Sequence, residues 1–494
     1  MSAPPLAPAP VLVVCPDTFG DLTLRQPLFR GLLDRGYATT VVVRRGYEEL
    51  VPHLDRRLRW ISVDLDLARL PGDAARGALA ELERAITALA PGLVVTTGCP
   101  RTPVEDWVLA RAGSAATVGL EPSPAVPRSV HAQRWLAALG VAEPPPPRIP
   151  VACPVDEHEA RRAEALLVAI TGRPADGPPA LELDAAARES SARALAERSL
   201  APQGYVVLCP GGSVNARVKR WSADAFAEAA DVGTRDGRPP LLLVGSDAEA
   251  AVTEEAAAAC RARGLQASSW IGGAGDLGTL LGLLAGARLY LGSDTGPMHF
   301  AAALGVPVVA VFGGGHWPRF LPVAGRSFVA TQRLPCFGCG WDCWLDDAAC
   351  LRAVSPATVG GAAAALLAGS EPARRVDEGA VLPAWADALI AAAAARQRAT
   401  EGAAQERLAE LDRHLAERLH AIERLSAVAD ERAEAMERLA SELAARGDVI
   451  ARQASAHEEA QRELAARQRV LDHPAVRRLV ALVKRLGGLR DGDA

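Results

Sequence analysis

The chain has no apolar run long enough to cross a bilayer. Its longest, Phe300 to Phe312, is interrupted by Gly305 and Pro307 and falls short of the roughly 18 uninterrupted residues a spanning helix needs. A basic segment behind the first residue is also missing, since Met1-Ser2-Ala3-Pro4-Pro5 contains no basic side chain, and no secretory signal is expected. Positive charge is not in excess. A formal net charge of −5 argues against nucleic acid as the main partner. Nor do the cysteines suggest a disulfide framework: they number nine, and Cys15, Cys99, Cys153, Cys209 and Cys260 lie in apolar or strand-like segments. That is the pattern of buried, reduced thiols in a cytoplasmic protein. What remains, 494 residues with 49% hydrophobic and 23% charged side chains, is the composition of a core-forming protein of two or three domains.

Short Val-rich segments alternate with Ala/Leu/Arg-rich helical pattern in two successive blocks. Val11 to Cys15, Thr39 to Val43 and Leu93 to Thr97 read as parallel strands of the first block; Tyr205 to Cys209, Leu241 to Val244, Leu289 to Leu291 and Val306 to Phe312 read as those of the second. Proline-dense Pro144 to Pro150 reads as a linker, and Arg173 to Pro179 as a second break. The fold class expected is α/β, with two Rossmann-like doubly wound domains facing a cleft and ligand at the carboxyl ends of the strands. The expected bounds are a disordered tail over 1–10, a first domain over 11–190, a second over 200–370 and a linker or helix over 371–400.

Residues 401–471 differ in kind. Steps of seven from Leu408 give Leu415, Ile422, Ala429, Met436, Leu443, Ile450, His457, Leu464 and Leu471, and eight of these ten positions are large and apolar. A seven-residue repeat sustained this long predicts a left-handed coiled coil that self-associates or docks a helical partner. Companion positions at Arg418, Arg432 and Arg446 weaken the seam and keep a solvated single helix open as the alternative. The tail, 472–494, is apolar on one side and basic on the other through Arg477, Arg478, Lys484 and Arg485. It fits peripheral contact with an anionic membrane, or ordinary capping and solubility.

Chemistry concentrates at three strand ends. Gly292-Ser293-Asp294-Thr295-Gly296-Pro297-Met298-His299 reads as strand, turn and helix opening. The unpaired amides and dipole at such a mouth seat a phosphate or diphosphate, and Asp294 can take sugar hydroxyls. The plain alternative is a β–α turn with Asp294 as N-cap. After the first strand, Phe19-Gly20-Asp21 places Asp21 near a helix start as a base or as an N-cap. Pro210-Gly211-Gly212-Ser213 ends a third strand. Lys219 follows, either as a cation for a diphosphate or as a solvated surface residue, before a helix expected to start at Ser222.

Together these motifs resemble glycosyltransferase family 9, the heptosyltransferase-like enzymes of bacterial surface polysaccharide assembly. The resemblance runs from about Val11 to Val359 and includes Leu242-Leu243-Val244-Gly245 with Asp247 and Glu249 just after. It implies the GT-B architecture, with an N-terminal acceptor domain and a C-terminal nucleotide-sugar domain. It implies Asp21 as general base, Lys219 as diphosphate-binding lysine, Thr295 and Gly296 as phosphate cradle, and Asp294 and His299 as donor-site positions, with Gly211 and Ser213 in the matching strand end. It further implies an inverting transfer, with ADP-heptose as the typical donor and no tightly bound metal. The acceptor expected is a bacterial surface glycan, glycolipid or glycoprotein. The chain departs from the family at Cys15-Pro16-Asp17, where an extra carboxylate would make the acceptor pocket less welcoming to phosphorylated sugars. Asp64-Leu65-Asp66 spells a metal-binding D-x-D far from these turns and reads as a chance match. Cys336, Cys339, Cys343 and Cys350 have spacing compatible with a structural zinc, or with thiols or disulfides packed on Trp341 and Trp344. Two rivals remain: an NDP-sugar epimerase of the same two-domain type, and a non-catalytic scaffold working through its heptads.

Overall fold

The computed structural model describes residues 9–123, 128–141, 143–212, 219–334, 336–341, 343, 348–370, 374–379 and 386–485. The chain divides into two compact units, Met1–Gln397 and Arg398–Ala494. Within the first unit the strands are β1 (Val11–Val14), β2 (Thr39–Arg44), β3 (Arg59–Val63), β4 (Leu93–Thr96), β5 (Ala116–Pro122), β6 (Ile149–Cys153), β7 (Val206–Cys209), β8 (Leu241–Ser246), β9 (Ala267–Gly272), β10 (Leu289–Ser293), β11 (Val308–Val311), β12 (Ser327–Ala330) and β13 (Arg374–Asp377). They form two parallel sheets, one of six strands in the order β3-β2-β1-β4-β5-β6 and one of seven in the order β13-β12-β11-β10-β7-β8-β9. Both are doubly wound, as expected, because strand order reverses at β1/β4 and again at β10/β7.

Every strand the pattern predicted is present, within a residue or two at its ends. The unanticipated ones are edge or near-edge strands. β3 and β13 are largely exposed and carry no buried alternation for the eye to find. β6 begins at Ile149, inside the segment expected to be a proline linker. It pairs with β5 from Val118↔Ile149 to Pro122↔Cys153, and an edge strand tolerates the prolines because one side of it needs no ladder hydrogen bonds.

The helices that place the site are α1 (Phe19–Leu24), α2 (Gln26–Asp34), α3 (Glu159–Thr171), α4 (Ala185–Ala196), α5 (Ala223–Gly233), α6 (Leu277–Ala285) and α7 (Gly296–Ala303). Ser222 caps α5, its hydroxyl accepting from the Ala225 amide at 3.2 Å, as the sequence predicts. α4 packs on α6, so the expected boundary at residue 190 falls inside a helix that lies against the second sheet's helical layer. α1 packs on α7. One apolar cluster runs from Val11 and Val13 through Leu166 and Leu167 into Tyr290, Met298 and Phe300, which is why the two sheets form a single unit.

The described residues of the second unit lie in two helices, α8 (Ala386–Asp472), which begins before it, and α9 (Pro474–Arg485). Heptad residues Leu415, Ile422, Met436, Leu443, Ile450, Leu464 and Leu471 are exposed along α8. No helix among the described residues is long and apolar enough to cross a membrane.

Candidate active site

Both switch points open onto one cleft of about 670 Å³. One wall comes from the first sheet: Thr18, Phe19 and Gly20 at the start of α1, with Arg45, Gly46 and Tyr47 after β2. The facing wall is Lys219, Asp294, Thr295, Gly296 and Pro297, continued by Gly245, Ser246, Glu249, Trp270 and Gly272 at the ends of β8 and β9. A second cavity, about 470 Å³ between α3 and β12–β13, contains none of the candidate site residues named from the sequence. It is also away from both switch points, where ligands of such sheets bind.

The starts of α1 and α7 meet. A Cβ placed on Gly296 would lie 3.5 Å from the Phe19 Cβ, and one on Gly20 would lie 2.9 Å from the His299 ring. A side chain at Gly20 would therefore force the imidazole aside, and the glycine reads as a close-approach residue. Thr295, not Asp294, is the N-cap of α7, which corrects the plain alternative and leaves the Asp294 carboxylate for other partners. That partner is Lys219: its Nζ lies 3.3 Å from Asp294 Oδ2 and donates to the Asp294 carbonyl at 3.4 Å. Burial pushes the Asp294 carboxyl up, and Lys219 pulls it back only in part. The ammonium also sits 4.3 Å from the centre of the Trp341 ring, a cation–π contact.

Asp21 is the third residue of α1 in a capping box whose N-cap is Thr18. Its Oδ2 accepts from the Thr18 amide at 3.2 Å and hydroxyl at 2.7 Å. The capping role is therefore real, at N3 and not at the N-cap. The remaining oxygen, Oδ1, is 4.0 Å from Arg25. Burial, then the negative charge of Asp17, raise the Asp21 carboxyl against the pull of Arg25, which moves it toward the range of a working base. Asp17 is not the free carboxylate the sequence suggested. It is paired with Arg25, so the pocket beside it is less acidic than expected.

Arg25 belongs to a buried ionic chain that reaches into the second sheet's half. It bonds Glu159 at 2.9 Å; Glu159 also takes Arg162 at 2.8 Å and Arg319, which follows β11. Burial pushes the Glu159 carboxyl up, but Arg25, Arg319 and Arg162 outweigh it and hold it at about 2. A depressed carboxyl contributes stability above its ordinary value of 4.5 that is lost as pH falls toward 2. Glu159→Gln leaves three guanidinium groups short of their counter-charge and is expected to cost roughly 3–5 kcal/mol, read as a fall in urea midpoint at pH 7 that disappears toward pH 2.

Of the other expected residues, Gly211 is buried at the end of β7 with the Glu249 carboxylate over it: a Cβ there would lie 2.5 Å from Oε1. Ser213 lies outside the described residues. His299 does not line the cleft. It is buried on α7, its imidazole lowered to about 3 by burial and then by His158 and Lys219, and Nδ1 has no hydrogen-bond partner among the described residues. Asp64 and Asp66 are exposed and paired with Arg45 and Arg69; neither carboxylate lines the cleft, although Arg45 does. Cys336, Cys343 and Cys350 pack around Leu334 and Ala349, and all four cysteines of the cluster are partly buried. Among the described residues no group of three or more His, Cys, Asp or Glu side chains could hold a metal, so the zinc reading gains no support there. No motif in this segment hints that it reaches the site. Trp341, at φ +71°, folds against Gly315 and onto Lys219. Trp270 was also missed, and so was Glu105, which is pushed up to about 7 by burial and then by Asp17 while it accepts from the Thr97 and Gly98 amides at the end of β4.

Two doubly wound domains, with a helix mouth and a lysine on one wall of the cleft and the start of α1 on the other, give the architecture expected of the GT-B class; Asp21 itself is not among the lining residues. Residues 148–339 match the model of glycosyltransferase family 9 (heptosyltransferase), so the resemblance read from the motifs holds and supports a glycosyltransferase. The fold is that of two solved structures. The ADP-heptose lipopolysaccharide heptosyltransferase II of E. coli is 19% identical and aligns over 74% of this chain and all of its own, with a TM-score of 0.54. A family 9 glycosyl transferase from Veillonella parvula is 18% identical over 73% of this chain and 98% of its own, with a TM-score of 0.55. No curated protein matches the sequence.

Proposed function

We propose that the chain transfers a sugar, heptose from ADP-heptose being the first candidate, from a nucleotide-diphosphate donor to a bacterial surface glycan, glycolipid or glycoprotein, with inversion. The observation that carries this reading is the pairing of Lys219 with Asp294 at the mouth of α7, directly across from the start of α1 that bears Asp21. The donor diphosphate lies against Lys219 and the amides at Thr295 and Gly296. Glu249 and Asp294, which line the cleft together with Glu49 and Asp276, take ribose and sugar hydroxyls. Asp21 takes the proton of the acceptor hydroxyl as its oxygen bonds to the anomeric carbon. The bond from that carbon to the diphosphate breaks on the opposite face, and the charge that develops falls on the lysine and the helix mouth.

Calorimetry or thermal shift with ADP-, GDP-, UDP- and dTDP-sugars tests the donor site. One nucleotide is expected to stabilise the protein selectively. If none does, the donor assignment is wrong and the scaffold reading takes its place.

The exposed heptad face of α8 supports self-association through residues 401–471. Deleting Glu401 to Ala494 is expected to reduce the mass seen by light scattering while sparing donor binding. An unchanged mass would end the coiled-coil assignment.

A further inference from the structure

α9 is not a continuation of the heptad helix. Pro474 interrupts the chain after Asp472, and one further step of seven from Leu471 lands on Arg478, so the apolar face of α9 is out of phase with the seam before it. Val476, Leu479, Val480 and Val483 follow the i, i+3, i+4, i+7 spacing of one helix face. Projected at 100° per residue, Arg478 and Arg485 fall on the opposite side, and Arg477 and Lys484 flank the apolar face. Leu479 and Leu482, 61% and 55% exposed, are uncovered, and the 12-residue helix contains no acidic residue.

We propose that α9 lies on an anionic phospholipid surface, apolar face among the acyl chains and cations against the headgroup phosphates. The charge on the helix selects this occupant over the others. A second copy of α9 or a neutral surface would bring no negative charge to a helix that has none of its own, whereas an anionic surface does. Arg477 already pairs with Asp472 across the helix break, a carboxylate that lipid phosphates can replace. A helix this short buries few side chains, so the contact is reversible and salt-sensitive. It places the catalytic unit on the membrane face without a spanning segment, and it does not depend on which sugar is transferred.

Flotation of the full-length protein with phosphatidylcholine vesicles, with and without phosphatidylglycerol, tests this. Binding is expected only with phosphatidylglycerol and is expected to fall as salt is raised. Each neutralised cation weakens it roughly fivefold, so a variant carrying Arg477→Gln, Arg478→Gln, Lys484→Gln and Arg485→Gln no longer floats. Leu479→Glu with Val480→Glu removes binding while leaving the thermal midpoint unchanged, since neither side chain is buried. The proposal falls if the protein ignores phosphatidylglycerol or if the apolar variant floats like the parent. It also falls if polyglutamate competes equally for both, which would make the partner an acidic polypeptide. If that variant instead lowers the oligomeric mass with no effect on vesicles, the face belongs to a second copy.

Discussion

Asp21→Asn is expected to lower the transfer rate by roughly 100- to 10,000-fold, the range for loss of a general base, with donor affinity unchanged. Asparagine is the informative replacement because its amide oxygen can still accept from the Thr18 amide and hydroxyl that Asp21 holds at 3.2 and 2.7 Å. The start of α1 therefore survives, whereas alanine would also remove a cap worth about 1 kcal/mol. A donor-binding titration beside the rate measurement separates chemistry from folding. An Asn variant with full turnover would remove Asp21 from the mechanism. The pH profile supplies a second readout. Only the ionised carboxylate can accept the proton, and burial and then Asp17 raise Asp21, so activity should be lost as pH falls through that raised value. Asp17→Asn removes the neighbouring negative charge and frees Arg25 to favour the Asp21 carboxylate. Both effects lower the Asp21 value, so the acid limb should move to lower pH in that variant.

The strand cores of both sheets were legible because parallel strands buried on both faces are apolar runs, and the chain has several: Val11–Val14 and Val308–Val311 are wholly buried. Edge strands were not, because Arg374–Asp377 joins its sheet through backbone hydrogen bonds to β12 and its side chains carry no signal of that. The residues at the strand ends could be found for a related reason. A turn that must leave backbone exposed to a ligand is written in Gly, Ser, Thr and Asp, and Gly292 to Gly296 is such a turn. One further sign lay in the composition: of the 54 Lys and Arg residues, only Lys219 and Lys484 are lysines, so a lysine between a strand and the next helix was worth more than a charge count implied. Contacts made across the fold left no trace in the sequence. Arg25 with Glu159, and Lys219 with Trp341, join residues more than a hundred positions apart. Neither Glu159 on an ordinary helical face nor Trp341 among cysteines announces its partner.

Lys219→Ala should weaken nucleotide-sugar binding by roughly 30-fold or more, the lower end of what truncating one member of a buried, hydrogen-bonded charge pair costs. The lower end applies because the Lys219 side chain keeps 19% exposure whereas that of Asp294 keeps 6%, so solvent screens the cation more than its partner. Two losses are combined in that number. The diphosphate loses a counter-charge, and the Asp294 carboxylate, already raised by burial, loses the cation that kept it from repelling an incoming anion. Asp294→Asn in the same chain removes the second loss and not the first. The double variant should therefore bind donor better than Lys219→Ala alone, although still worse than the parent, and the difference is the coupling of the pair. Lys219→Arg separates charge from shape. It keeps the positive charge, but a planar guanidinium cannot reproduce the point contact that Lys219 makes between Asp294 and the Trp341 face, so only partial recovery is expected. If Lys219→Ala binds every nucleotide sugar as the parent does, Lys219 only neutralises Asp294, and the diphosphate must be held elsewhere.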